Sequence, residues 1–147
     1  MEVIPQTAIA AQADTDASLD EARMTVKEKW QGAVTEGSGF VAVPMALLRL
    51  QSRYNLTATE MLVLINLLAH WWDPKSPVYP RSTTIANRMG IDLRTVQRAT
   101  QKMERGGLIS RGKLPDGRRI FVFDALAKKL ARDMPMAFNA QAFEEFG

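Results

Sequence analysis

The 147 residues predict a mostly α domain with one small β-hairpin. Three observations lead there. Over residues 81–109, RSTTIANRMGIDLRTVQRATQKMERGGLI, two short helical patterns flank a tight turn, and the second pattern is basic. Directly after it, two runs of strand-forming residues surround Pro115, Asp116 and Gly117, the composition of a hairpin. Upstream, residues 61–72 are apolar almost all round, as in a helix buried on most sides.

Each element has local causes. Residues 1–16 are rich in Ala, Gln and Thr with few large apolar groups and are expected to be disordered. Leu19, Ala22, Val26 and Trp30 recur at helical spacing, which predicts a helix over 18–31 that Gly37, Ser38 and Gly39 interrupt. Residues 1–39 thus read as an acidic, partly disordered extension. The segment 40–43 is apolar and extended, and Pro44 suits the first turn of a helix bearing Met45, Leu47, Leu48 and Leu50. Thr57 and Glu60 have capping-box spacing, and Leu56 with Met61 can form the hydrophobic staple. The helix they start is expected to run through Trp72. Residues 73–80 hold three prolines and read as a loop, with Val78 and Tyr79 placed to pair with the hairpin.

Ser82 is the expected N-cap of the next helix, whose inner residues are Ile85, Ala86 and Met89. Gly90 ends it where a left-handed residue is needed. Asp92 caps the basic helix. Val96, Thr100 and Met103 fall on the inner face of that helix, and Arg94, Thr95, Gln97, Arg98, Gln101 and Lys102 fall off it. After Gly106 and Gly107, the hairpin is expected over 108–114 and 118–123. Asp124 is the expected cap of a last helix, 125–134, with Leu126, Leu130 and Met134 on one face and Lys128, Lys129 and Arg132 on the other. The folded domain is therefore placed at 40–133. Residues 134–147, with Phe138, Phe143 and Phe146, read as a tail.

Composition narrows the function. With no cysteine, disulfides, thiolate metal sites and cysteine nucleophiles are excluded. The first residues lack a basic start and a continuous apolar core, so no secretory signal is expected. The longest apolar run, 61–69, is interrupted by Asn66 and is far short of the ~20 residues of a membrane span. A cytoplasmic protein without membrane contact is the expectation. The net charge of +3 hides an asymmetry. Residues 1–40 carry three basic against seven acidic side chains, a balance of −4, and residues 81–119 carry ten against three, a balance of +7. A concentrated basic block points to a polyanionic partner.

Nothing in the chain reads as catalytic. His70, the one histidine, lies among Ala69, Trp71 and Trp72 with no paired carboxylate nearby, so a packed or hydrogen-bonded role is expected. Residues 37–39 lack the strand, lysine and helix that a phosphate-cradling loop requires. Trp71 and Trp72 are expected to pack. No enzyme activity, cofactor or metal is expected.

The pattern Ile85-Ala86, Gly90-Ile91, Thr95-Val96-Gln97-Arg98, Met103-Glu104 and Gly106-Gly107-Leu108-Ile109 resembles the winged helix-turn-helix superfamily. It is most similar to the helix-turn-helix domains of plasmid and phage replication proteins and of small bacterial regulators. Weaker likenesses lie at Gly39-Phe40, Val43-Pro44, Trp71-Trp72 and Ile120 to Asp124, so about residues 30–130 are covered. Thr100 departs from the superfamily, which usually has a larger apolar residue there.

The resemblance implies sequence-specific binding of double-stranded DNA. The helix starting at Asp92 would read the major groove, and the hairpin, or wing, would grip the backbone. The candidate DNA-binding residues are Arg81, Thr83, Thr84, Leu93, Arg94, Thr95, Gln97, Arg98, Gln101, Lys102, Arg111, Lys113, Arg118 and Arg119. Arg can bond guanine O6 and N7, and Gln can bond adenine N6 and N7. A bacterial transcriptional regulator is the expected role, acting as a homodimer through residues 125–134 or 18–30. Two alternatives stay open: the DNA-binding domain of a plasmid or phage replication initiator, and a winged-helix protein-interaction subunit without DNA contact.

Overall fold

The structure is a computed structural model that describes residues 17, 21, 25–34, 39–73 and 75–146, with side chains as far as 135. The chain divides into two units, Met1–Phe40 and Val41–Gly147. In the first, residues 25–30 are helical and lead into a 3-10 turn at Gln31–Val34. Much of the helix expected over 18–31, the whole of 1–16 and the break at 37–38 lie outside the described residues.

The second unit orders α1 (Met45–Leu50), α2 (Ala58–Leu68), α3 (Ser82–Met89), α4 (Leu93–Arg105), β1 (Ser110–Lys113), β2 (Arg119–Val122) and α5 (Asp124–Phe146). Pro44 occupies the N-cap position of α1 with an extended backbone. The capping box at α2 is complete: Glu60 N–H donates to Thr57 Oγ1 at 3.1 Å, and Thr57 N–H donates to Glu60 Oε1 at 2.9 Å. Glu60 is itself buried, yet Lys102 Nζ donates to its Oε1 at 2.8 Å. Burial alone would raise the Glu60 carboxyl, but the bonds from Lys102 and Thr57 outweigh it and hold the pKa below its ordinary value.

The helix expected through Trp72 ends at Leu68. His70 N–H bonds Leu67 O and Trp71 N–H bonds Leu68 O, each at 3.0 Å, which closes the last turn tightly. The chain then separates the two tryptophans. Trp71 packs against Phe123, with ring centroids 5.3 Å apart, whereas Trp72 is 73% exposed. Leu62 also faces out, so α2 is not covered all round.

Ser82 does not cap α3. Arg81 stands at the cap position without a side-chain bond, and Ser82 is the first helical residue. Gly90 has φ 67°, as its place at the helix end requires. Asp92 caps α4 as expected, its Oδ1 accepting Thr95 N–H at 2.7 Å. Helix α4 packs on α2 and α3. Val96, Ala99, Thr100 and Met103 are its buried residues.

The strands pair antiparallel with Arg111 opposite Phe121 and Lys113 opposite Arg119. Val78 bridges to Phe121, whose N–H donates to Val78 O at 2.7 Å, so the proline-rich loop adds a one-residue edge to the hairpin. The core gathers Leu47, Leu64, Leu67, Ile85, Val96, Met103, Ile109 and Phe123, all almost fully buried.

Helix α5 begins at Asp124 itself and continues past Pro135 to Phe146, beyond the Met134 end expected from sequence. A proline deletes one backbone hydrogen bond, which a helix of 23 residues survives. Leu126 and Leu130 are 3% and 6% exposed and belong to the core, where α5 packs on α1. They are therefore not a homodimer seam, because their stripe is already covered by the chain's own helices. Met134, the third residue of the stripe, is exposed.

Tyr54 ties α5 to the turn after α1: its hydroxyl donates to Asp133 Oδ2 at 2.8 Å, and Lys129 Nζ lies 5.1 Å from its ring centre. Burial, and then the Asp133 carboxylate, push the Tyr54 phenol from 10.0 up to about 12. Because this folded pKa is raised, the stability it contributes is complete below pH 10 and disappears as pH climbs through about 12. Thermal melts of wild type and Tyr54→Phe should therefore differ by a constant amount from pH 3.8 up to pH 10 and converge above it. A difference that persists undiminished to pH 12 would mean the phenol is not held in this bond. At the acid end, Arg132 and then Tyr54 hold Asp133 down to about 2 from 3.8, so that contribution is present above pH 3.8 and is lost as pH falls through about 2.

Candidate nucleic-acid interface

The outer face of α4 is built by helical spacing. Arg94, Gln97, Arg98 and Gln101 recur at steps of three, one and three, and all four are exposed. None of their side chains hydrogen-bonds or ion-pairs with another side chain among the described residues. Three of the four lie in the first half of the helix, where a recognition helix reaches base edges. Leu93 is 38% exposed beside them. Thr95 is half-buried, and its hydroxyl donates to the Asp92 cap at 3.1 Å, so its part is to hold the helix start. The Thr95 bonds keep the Asp92 carboxyl below its ordinary pKa.

Arg81, Thr83 and Thr84 are exposed at the start of α3, where the Thr84 N–H already donates to Arg81 O at 3.0 Å. The wing flanks α4 on the other side. Strand alternation puts Arg111, Lys113, Arg119 and Phe121 on one face. Gln101, Glu104, Arg111, Gly112, Lys113 and Arg119 line a polar groove of about 410 Å³ between α4 and the hairpin. At the wing tip Gly117 takes φ 91°, and Asp116 accepts Arg118 N–H at 3.0 Å and Arg118 Nε at 2.7 Å. The Arg118 guanidinium also lies 4.7 Å from the centre of the exposed Tyr79 ring.

Besides Thr95, held at the cap, and Arg118, held by Asp116, two more of the fourteen candidates are fastened to neighbouring side chains. Lys102 reaches Asn55 O at 3.0 Å and Glu60 at 2.8 Å, which fastens α4 to the start of α2. Arg111 lies over the Phe121 ring at 4.3 Å and pairs with Glu104 at 3.3 Å. A charge shows its sign in a sequence but not its partner, so the pattern that makes both candidate DNA contacts cannot show these bonds. Tyr79, which its sequence pattern marks only as a pairing residue, is exposed at the wing.

His70 sits in the turn after α2, half-buried, with Nε2 3.4 Å from Arg88 Nη2. Burial and the Arg88 charge lower its pKa. Arg88 also donates to Asn66 Oδ1 at 3.2 Å, and among the described residues no carboxylate is bonded to the group. Among the described residues there is no cluster of three or more His, Cys, Asp or Glu that could hold a metal ion. Among them, too, no helix is long and apolar enough to cross a membrane.

A three-helix unit with a capped basic helix in third place, followed by a hairpin, defines a winged helix-turn-helix domain. Residues 54–109 match the family described as a helix-turn-helix domain. The stretch spans the end of the α1 turn, α2, α3 and α4, and stops as the wing begins. No curated protein matches the chain. Among solved structures, the N-terminal domain of DnaD protein from Geobacillus kaustophilus is similar at 18% identity with a TM-score of 0.53, over 71% of this chain and 87% of that one. YusO protein from Bacillus subtilis aligns at 18% identity with a TM-score of 0.44, over 92% of this chain and 82% of that one. A possible transcriptional regulator from Methanosarcina mazei aligns at 16% identity with a TM-score of 0.42, over 67% and 82%. At such identities the DnaD likeness speaks to the fold alone.

Proposed function

We propose that this chain is a sequence-specific double-stranded DNA-binding protein that acts as a transcriptional regulator. In this reading α4 enters the major groove with Arg94, Gln97 and Arg98 at base edges. Arg81, Thr83 and Thr84 hold one phosphate strand, and Lys113 and Arg119 hold the other through the wing. The observation that carries it is the pairing of Lys113 with Arg119. Like charges directly opposite across two strands destabilise a hairpin, and here they face a groove shared with α4. A phosphate in that groove relieves the repulsion. Two copies on half-sites about 34–36 Å apart complete the reading. Their seam lies away from Leu126 and Leu130, which the core occupies.

Titration of a labelled duplex at several salt concentrations tests it. The binding constant should fall log-linearly with salt, and Lys113→Ala and Arg119→Ala should each reduce the slope by about one. A salt slope that neither substitution changes would place the wing off the backbone. Footprints on inverted half-sites near a promoter fit the regulator, and iterated direct repeats move the role to replication initiation.

A further inference from the structure

Thr100 is a polar residue, 1% exposed, on the inner face of α4, where an aliphatic side chain would ordinarily pack. Its hydroxyl donates to Gln97 O at 2.9 Å and accepts from Arg111 Nη2 at 3.5 Å. The same guanidinium forms an ion pair with Glu104, Nε to Oε1 at 3.3 Å, without a hydrogen bond at that nitrogen, and its central carbon lies 4.3 Å from the centre of the Phe121 ring, itself 6% exposed. Arg111 belongs to β1; Thr100 and Glu104 lie four residues apart on α4. One side chain therefore joins the hairpin to the helix by two contacts, to Thr100 and Glu104, while its third, on Phe121, holds it against its own hairpin. Glu104 is otherwise misplaced: it is a carboxylate in a groove lined by Lys113 and Arg119, where it would repel a phosphate. Its pairing with Arg111 accounts for it.

We infer that Arg111 is a positioning residue, which with Glu104 and Thr100 locks the wing to α4 so that Lys113, Arg119 and the reading face of the helix meet DNA as one rigid surface. The inference rests on the DNA-binding reading for its consequence, though not for the lock itself. A planar fork is needed, because an ammonium cannot lie on the ring and reach both oxygens at once. Preorganisation of this kind spares the ordering cost that a loose hairpin would meet on binding.

Two conservative variants separate this from a direct phosphate contact. Glu104→Gln removes a negative charge beside the DNA, so simple electrostatics predicts tighter binding. Arg111→Lys keeps the positive charge, so a phosphate contact would survive. The lock predicts a loss of duplex affinity of up to about fivefold in each, the scale of one part-exposed ion pair, and a double variant little worse than either. It also predicts faster amide exchange at Gly112 and Ile120, the hydrogen-bonded pair of the hairpin, without DNA, while α3 and the first half of α4 stay protected. Tighter binding by Glu104→Gln, or full affinity in Arg111→Lys, overturns the positioning role. Unchanged wing exchange in both variants overturns the lock itself. A wild-type chain that binds no duplex removes the DNA reading and leaves the lock to be decided by exchange alone.

Discussion

Leu130→Asp is expected to unfold the domain rather than release a folded monomer. Leu130 is 6% exposed and sits beside Leu126 where α5 packs on α1. Removing a buried leucine side chain costs about 2–5 kcal/mol. Placing a carboxylate in the same site adds a desolvation penalty. Domains of this size hold about 5–15 kcal/mol in total, so the sum takes most of it. Far-UV circular dichroism with a thermal melt reads the outcome directly. Met134→Asp on the same helix is the control: Met134 is 48% exposed, and its substitution should change stability by less than about 0.5 kcal/mol. If Leu130→Asp melts like wild type, the stripe on α5 is not part of the core and the dimer seam regains its claim to it.

The second large effect concerns base reading. Arg94→Ala and Gln97→Ala should each cost about 1–3 kcal/mol on the preferred site and relax discrimination at one position, because a bidentate contact to a base edge is lost. Competition between the preferred duplex and a scrambled one separates this from loss of charge alone. Both side chains are exposed and lie off the buried face, so the fold should be untouched. Variants that keep wild-type discrimination would place the reading surface somewhere other than the first half of α4.

What was legible in the sequence was mainly what is local. The capping box at Thr57 and Glu60, the Asp92 cap and the left-handed Gly90 each depend on residues within a few positions, and all three stand in the structure. The inner face of α4 was legible for the same reason: helical spacing alone assigns Val96, Thr100 and Met103. The bridge from Val78 to the hairpin was also anticipated.

Non-local choices were not legible. An apolar stripe on α5 can face a second copy or the same chain, and its spacing is identical either way; the neighbouring α1 decides it. Ser82 is a good cap by type, yet the helix takes it in and leaves the cap position to Arg81. The apolar run of α2 gave no sign that the chain would turn at Ala69 and send Trp71 inward and Trp72 outward. Lys102 and Arg111 looked like their neighbours in a count of charge, but Glu60 and Glu104 hold them. The Thr100 departure marked the spot, since a buried hydroxyl under a basic helix calls for a polar partner.

The most direct measurement of the central claim is selection from a pool of randomised duplexes at physiological salt, read by sequencing. The account predicts that the wild-type chain enriches one short motif, repeated as half-sites about one helical turn apart, and that Arg94→Ala loses part of it. A pool that stays random after repeated rounds, or a chain that retains no duplex at all, would contradict it.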